Sequence, residues 1–531
     1  MENNAIKYRK EFRDQGDLRT CFVRFRKALV GQVDALPLDI FRVLMGVLLL
    51  LYFIRTFLEA GDFSGPDSLI DHRLSLDIFW FTQIGLFQPG MSLFMFQAIY
   101  LFACVCSVLL ILGYRVKISA AILYLIAICT YRWNFLVMYV DDAIMHLMIF
   151  WLLLLPVGRT LVLSEWIRDR KESWTRWKNI TVPGTTLRCF FWNLALIYIV
   201  AGLWKWTSPM WREGTALYTI LKLPISYAPD FWGPEHLFAL KMFNYGALIL
   251  EPIFPLMFIL PKGHYAKYLL LFGLLALHIG TIATLDIPFA NIACLIVAVL
   301  IFRDELMDRI RGQRAETRLS ETSQRIGFSG AMALFMVTML TLAMISSISL
   351  PRWRNPAREN IKTQSETVFV NDGDSENPDF NSEFKEGGHE GLGPVQLTFF
   401  GSLWCIGIAQ QYQLFNWIDE RNYSVRYRII EYKDKRPVGE INPDEMFLHS
   451  TRGVLLQFYL HDITWVRVPP KRREELRQNL LKRFAKRFCR NSKAEGRISV
   501  YSTLERIGSS DNQTREDPEL LMSFSCRDDN M

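Results

Sequence analysis

Residues 201–217 read AGLWKWTSPMWREGTAL, with a single lysine, Lys205, between Trp204 and Trp206 at the end of a long apolar run. Two readings of that lysine are open. In one it is a cation reaching for water through an interfacial aromatic belt completed by Trp211, a common ending for a membrane helix. In the other it is an amine in a dry cleft, roofed by the semi-apolar stretch that follows and that Pro209 and Gly214 break. Burial strips water from an ammonium and favours the neutral amine, which serves as a general base near pH 7 where an exposed ammonium does not.

Other ionisable residues lie inside apolar runs, where charge is costly and usually faces an interior cavity. Asp39 and Arg42, spaced i, i+3, can pair at the start of the first run, and Arg55 near its far end can snorkel. Asp141 and His146 stand at the head of another run, and His278 lies inside a late one. Each histidine reads as a hydrogen-bonded packing residue or as a catalytic auxiliary. Glu251 sits in ALILEPIFPLMFIL, where Pro252 and Pro255 free backbone carbonyls beside its carboxyl at mid-membrane depth.

The elements that must hold these groups follow from composition. The chain has 531 residues, 51% hydrophobic and 21% charged, which leans towards a membrane protein. Crossing the hydrocarbon core takes about 20 apolar residues. Nine runs qualify, at 36–58, 92–113, 116–133, 143–163, 184–206, 240–260, 266–285, 287–302 and 329–350. The connections between them alternate basic and non-basic without a break: the basic start, 59–91 with Asp62, Asp67, Asp71 and Asp77, the basic GYRVK, the acidic MYVDD, and so on to the arginine-rich 303–325. That pattern puts the N-terminus in the cytoplasm and everything after residue 350 outside or in a lumen, in a plasma, inner or endoplasmic reticulum membrane. The basic start carries no cleavage site, so the first run reads as an anchor. No internal repeat of paired broken helices points to a transporter.

The expected organisation is a basic cytoplasmic arm (1–35), an all-α polytopic membrane domain of about nine transmembrane helices (36–350), a flexible linker (351–394), a small C-terminal α+β domain outside the membrane (395–490) and a frayed polar tail (491–531). Within the α+β domain YSVRYRIIEY and VGEI flank a turn and predict a hairpin, whereas VLLQFYLHDITWVRV fits a strand or a helix. In KRREELRQNLLKRFAKRFCR, Leu476, Leu480, Leu481, Phe484 and Phe488 share one helical face opposite a dense basic one. That basic face is either solvated or a dock for an acidic partner or anionic lipid headgroups. Asn422 and Asn512 begin glycosylation sequons, meaningful in a eukaryotic cell. The nine cysteines are scattered, with no CxxC, so neither a metal site nor a disulfide framework is indicated, and no nucleic-acid partner is expected.

AGLWKW…W..GTAL resembles the signature of the horizontally transferred transmembrane domain family, shared with vitamin K-dependent gamma-glutamyl carboxylase. RWNFLVMYVDDAIMHLMIFWLLLLPVGR, LHIGTIATLDIPFANIACLIVAVLIF, GIAQQYQLFNW and YRIIEYKDKRPVGEINP are similar, in order, to further family segments across most of residues 36–490. The resemblance implies a carboxylase-like membrane enzyme, with Lys205 as the base acting on reduced vitamin K or a related quinol. Oxygen and carbon dioxide would be co-substrates, a secreted or extracytoplasmic peptide the acceptor, and membrane lipid the surroundings. Asp141, His146 and His278 would be auxiliaries, and Trp204, Trp206, Trp211 and Glu251 would line the quinol site. The chain departs from the carboxylase in carrying Asp141 where that enzyme has a histidine, Trp204 in place of a second lysine, and a much shorter outer domain. The alternative is a non-catalytic membrane protein that binds a lipid or peptide and assists maturation of a secreted peptide.

Overall fold

The computed structural model describes residues 29–78, 85–312, 326–347, 423–433, 435–461, 468, 470–492, 496–507 and 517–527. The linker, the asparagines of both sequons, Cys21 and the GIAQQYQLFNW segment lie outside the described residues, as does nearly all of the basic arm.

Apolar runs fold as helices because a helix satisfies its own backbone where water is absent. Two short strands, β1 (Gln32–Asp34) and β2 (Thr181–Pro183), pair antiparallel just ahead of α1 (Ala35–Leu58) and of α5 below. There follow α2 (Leu93–Leu112), α3 (Val116–Trp133), α4 (Val140–Leu154), α5 (Thr185–Thr207), α6 (Leu237–Leu250), α7 (Tyr265–Thr284), α8 (Pro288–Ile301) and α9 (Phe328–Ser347). Among the described residues six helices are long and apolar enough to cross a membrane: α1, α2, α3, α5, α7 and the segment Pro234–Phe258 that contains α6. The run expected at 143–163 is shorter and earlier, because Leu155 precedes Pro156 and leaves the helical region. α1 packs on α2 and α8, α4 on α3 and α8, and α5 on α9 and the 3₁₀ turn Glu251–Phe258.

One end of the bundle is stapled by Asp39 and Arg42. Both are fully buried and paired at 2.7 Å. The Asp39 carboxylate accepts from the backbone N–H groups of Gly158, Arg159 and Thr160 at 2.6–2.9 Å. Arg42 donates to the carbonyls of Leu110, Ile111, Thr160 and Leu161. It thereby caps α2, whose chain reverses at Gly113 in the left-handed conformation (φ 75°). Lys117 does the same for the last carbonyls of α4. Asp39 and Arg42 pair as their spacing predicts, and Lys117, read as loop charge in GYRVK, is a helix cap.

The other end carries the C-terminal unit. Strands β3 (Tyr423–Lys433), β4 (Arg436–Ile441), β5 (Arg497–Arg506) and β6 (Glu519–Ser525) form an antiparallel sheet in the order β4-β3-β5-β6. The predicted hairpin is β3–β4. The region expected as a polar tail supplies β5 and β6, because Ile498, Val500 and Ser502 alternate on one buried face and a serine there hides the strand period. The ambiguous stretch is helical over α10 (Thr451–Leu460), and every side chain of α10 is buried between bundle and sheet. Helix α11 (Pro470–Asn491) buries Leu476, Leu480, Leu481, Phe484 and Phe488 on the predicted face. A Cys489–Cys526 disulfide ties α11 to the end of β6, correcting the expectation of no bridge.

The basic face of α11 has its acidic partner in the same chain. Arg472 meets Asp77 at 2.6 Å, Arg483 meets Asp71 at 3.4 Å, Arg487 meets Asp62 at 3.1 Å and Arg490 meets Asp67 at 3.1 Å. The loop that carries these aspartates also lends Phe63, Leu69 and Ile70 to the same core as Leu456, Phe484 and Val500. The C-terminal unit is therefore fused to the bundle by a continuous core rather than tethered to it.

Candidate functional site

Lys205 is buried, and its Nζ donates a short hydrogen bond to Glu251 Oε2, which is buried as well. Neither reading of the lysine holds alone. It is not a snorkelling anchor, and its amine is not free. Local sequence explains the meeting. Pro255 and Pro252 stop α6 at Leu250 and tighten the chain into the 3₁₀ turn Glu251–Phe258, which presents Glu251 sideways. On α5, Gly202 lies one turn before Lys205, and a Cβ there would meet Pro252 Cδ at 2.8 Å. Only a glycine lets the two backbones come close enough for the ion pair.

The tryptophans separate into three environments. Trp211 is buried, with Lys205 Nζ 5.2 Å from its ring centroid. Its position is set by Ser208, whose hydroxyl accepts from the Trp211 N–H at 3.3 Å, and by Asn244, which donates to its carbonyl at 2.8 Å. Trp204 is half-buried against the bundle core, and Trp206 is exposed. Of the three, Trp211 alone covers the amine.

Two turns back from Lys205 on the same face of α5, Tyr198 bonds His278 Nε2 at 2.9 Å. His278 Nδ1 is 2.7 Å from Asn291 Oδ1, and the Asn291 amide nitrogen donates to the Ile287 carbonyl at 2.7 Å. That last bond fixes the amide, so Nδ1 carries the proton and Nε2 accepts from the tyrosine hydroxyl. Tyr198 also packs edge-on against Phe254 of the 3₁₀ turn and lines an apolar slot of about 10 Å³ with Cys294, room for one small molecule the size of water. Sequence reading singled out His278 but not Tyr198 or Asn291.

Asp141 is committed elsewhere. Its oxygens accept from the N–H groups of Phe289 (3.2 Å) and Ala290 (2.8 Å) and from the Tyr139 hydroxyl (3.3 Å), so it caps the N-terminus of α8 from another element. His146 is buried between the rings of Tyr124 and Tyr131, at 4.9 and 6.2 Å, and among the described residues neither ring nitrogen has a hydrogen-bond partner. The expectation of a hydrogen-bonded packing histidine is not met, and no hydrogen bond links it to the Lys205 pair.

A second polar cluster, absent from the sequence reading, closes the mouth beneath α10. Buried Arg452 donates to Asp142 at 2.7 Å and to Glu59 at 3.0 Å, and the Tyr52 hydroxyl donates to Asp142 at 2.5 Å. Arg55, expected to snorkel, pairs instead with Glu59 and Asp286, and the Thr451 N–H donates to Asp286 at 3.1 Å. These contacts lock the C-terminal unit onto three bundle connections. Among the described residues no cluster of three or more metal-ligating side chains occurs.

No family model, curated protein or solved structure matches the chain.

Proposed function

We propose that this chain is a carboxylase-like integral membrane enzyme that γ-carboxylates glutamate in an extracytoplasmic peptide or protein, with Lys205 as the base. The burial of Lys205 against Glu251, within a motif that resembles the family's base-bearing signature, carries this reading. Glu251, hydrogen-bonded to Lys205, would hold the amine in place and keep a proton acceptor beside it. Trp211 offers an aromatic face above the amine, and the Tyr198–His278–Asn291 chain crosses from α5 through α7 to α8 two turns away from it. The slot beside Tyr198 has room for one water-sized molecule, so a quinol would enter only with the 3₁₀ turn displaced. Reduced vitamin K or a related quinol, when bound and oxidised by oxygen, would supply the basicity that a glutamate γ-carbon demands and an amine lacks; carbon dioxide would be the other co-substrate. Asp141, in this reading, holds α8 in place and does not touch substrate.

We further propose nine crossings, with a cytoplasmic N-terminus and the C-terminal unit outside. α4 and α8 would be short spans, about 21–23 Å at 1.5 Å per residue against a core of about 30 Å. Alternate connections support the count: residues of 63–78, 135–137, 216–225 and 285–287 share cores or hydrogen bonds with the C-terminal unit. The Cys489–Cys526 bridge supports an oxidising compartment for that unit.

A second reading is favoured by the closure of the pair and by α10 filling the mouth: a non-catalytic protein that binds a lipid or peptide and assists maturation of a secreted peptide. Membranes carrying the parent chain or Lys205→Ala, given reduced vitamin K, labelled bicarbonate and a glutamate-containing peptide, distinguish the two. The enzyme reading expects label in the peptide with the parent and none with a folded Lys205→Ala. A parent that binds peptide but fixes no label establishes the second reading instead.

A further inference from the structure

Where the C-terminal unit meets the bundle, the loop after α1 and helix α11 border a half-open cavity of about 290 Å³ lined by Asp62, Asp67, Arg487, Arg490, Leu69 and Leu93. Leu93 is the first residue of α2, a helix fit to cross the bilayer, and the next two residues, Phe94 and Met95, are exposed. The cavity therefore sits at the level where α2 enters lipid.

Its charges are of both signs and are paired with one another, Arg487 with Asp62 and Arg490 with Asp67, with Lys486 also 3.6 Å from Asp67. Asp67 and Arg490 are about half exposed, at 59% and 47%, so their pair is weak and free to exchange partners, whereas Arg487 and Asp62 are more buried. The four lining groups sum to zero charge. A simple anion that takes Arg487 strands Asp62, whereas one that takes Arg490 leaves Asp67 with Lys486, and a simple cation strands a guanidinium. A ligand that carries a phosphate and a primary ammonium a few bonds apart satisfies both sides at once. Phosphate suits the planar forks of Arg487 and Arg490, and an ammonium donates to Asp62 and Asp67. Leu69 and Leu93 supply an apolar wall on the side of the membrane helix.

From this we infer that the cavity is a headgroup site for a zwitterionic glycerophospholipid of the phosphoethanolamine type, with the acyl chains lying along α2. The inference is independent of any chemistry at Lys205. It is tested by native mass spectrometry of the full-length protein in detergent, titrated with phosphatidylethanolamine or with phosphatidylglycerol, which keeps the phosphate and lacks the amine. The expected result is one phosphatidylethanolamine held about tenfold more tightly than phosphatidylglycerol, and not displaced by inorganic phosphate. Asp67→Asn and Arg490→Gln, both at the solvated rim, leave the fold intact; each weakens phosphatidylethanolamine retention, and Asp67→Asn moves the preference towards phosphatidylglycerol. Equal retention of the two lipids by the parent, retention unchanged by both substitutions, or displacement by inorganic phosphate each overturns the assignment.

Discussion

At the scale of single residues, the defining contact is one ammonium and one carboxylate removed from water together. Breaking such a pair from one side strands the other charge and typically costs about 3–5 kcal/mol, whereas replacing both partners with apolar groups of similar volume is often neutral or stabilising. Lys205→Met is therefore expected to lower stability by about 3 kcal/mol or more, with most of that recovered in Lys205→Met/Glu251→Leu. Denaturant unfolding in detergent micelles reads the difference, and a double variant no more stable than the single one would contradict the burial of the pair. The lysine was legible in the sequence because tryptophans and a broken helix mark it. Its partner was only half legible. Glu251 stood out as a buried carboxyl beside prolines, yet nothing in a linear pattern joins residues 46 apart. Arg452 was invisible for the same reason, a lone arginine in HSTRGV whose carboxylate partners come from α4 and the end of α1.

Among elements, close approach and titration decide what holds. Gly202→Ala places a methyl group 2.8 Å from Pro252, and the overpacking is expected to cost about 1–3 kcal/mol by pushing α5 off the 3₁₀ turn. If Gly202→Ala unfolds at the parental denaturant midpoint, the two backbones are not in contact. The loop after α1 is expected to be sensitive to acid. His72, in the short helix His72–Ile78, stacks on Trp133 at 4.1 Å, and Asn134, Asp71 and Arg483 face it. Burial pushes its imidazole down from about 6.5 to about 4. Between those values the unfolded chain binds a proton that the folded chain refuses, so the stabilisation is complete above about pH 6.5 and lost as the pH falls towards 4. Asp71 adds to the loss at lower pH. Burial alone would raise its carboxyl, but hydrogen bonds from the Leu74 N–H, Asn479 and Arg483 bring it below the ordinary value, so its contribution vanishes as the pH drops through that lowered pKa. His72→Phe keeps a ring against Trp133 and is expected to flatten the loss of thermal stability between pH 6.5 and 4. An unchanged pH profile would place the acid sensitivity elsewhere.

Over the whole molecule, hydrophobic periodicity carried most of the architecture. The apolar runs are helices, and the Leu476–Phe488 face of α11 is buried as its spacing predicts. What the pattern could not supply is long-range pairing. The Cys489–Cys526 bridge joins two cysteines 37 positions apart with no motif, and β5 is too polar to be told from a tail until β3 and β6 flank it. The basic face of α11 and the acidic loop were each visible, and that they neutralise each other was not. The consequence is a molecule closed on its C-terminal side, with the Lys205–Glu251 pair sealed inside the bundle. The measurement closest to the central claim follows the glutamate γ-hydrogen itself. A peptide tritiated at that carbon, incubated with the protein in membranes together with reduced vitamin K and oxygen but no carbon dioxide, should release tritium to water with the parent chain and not with Lys205→Ala. Release that is absent from the parent, or that survives unchanged in Lys205→Ala, would contradict the account.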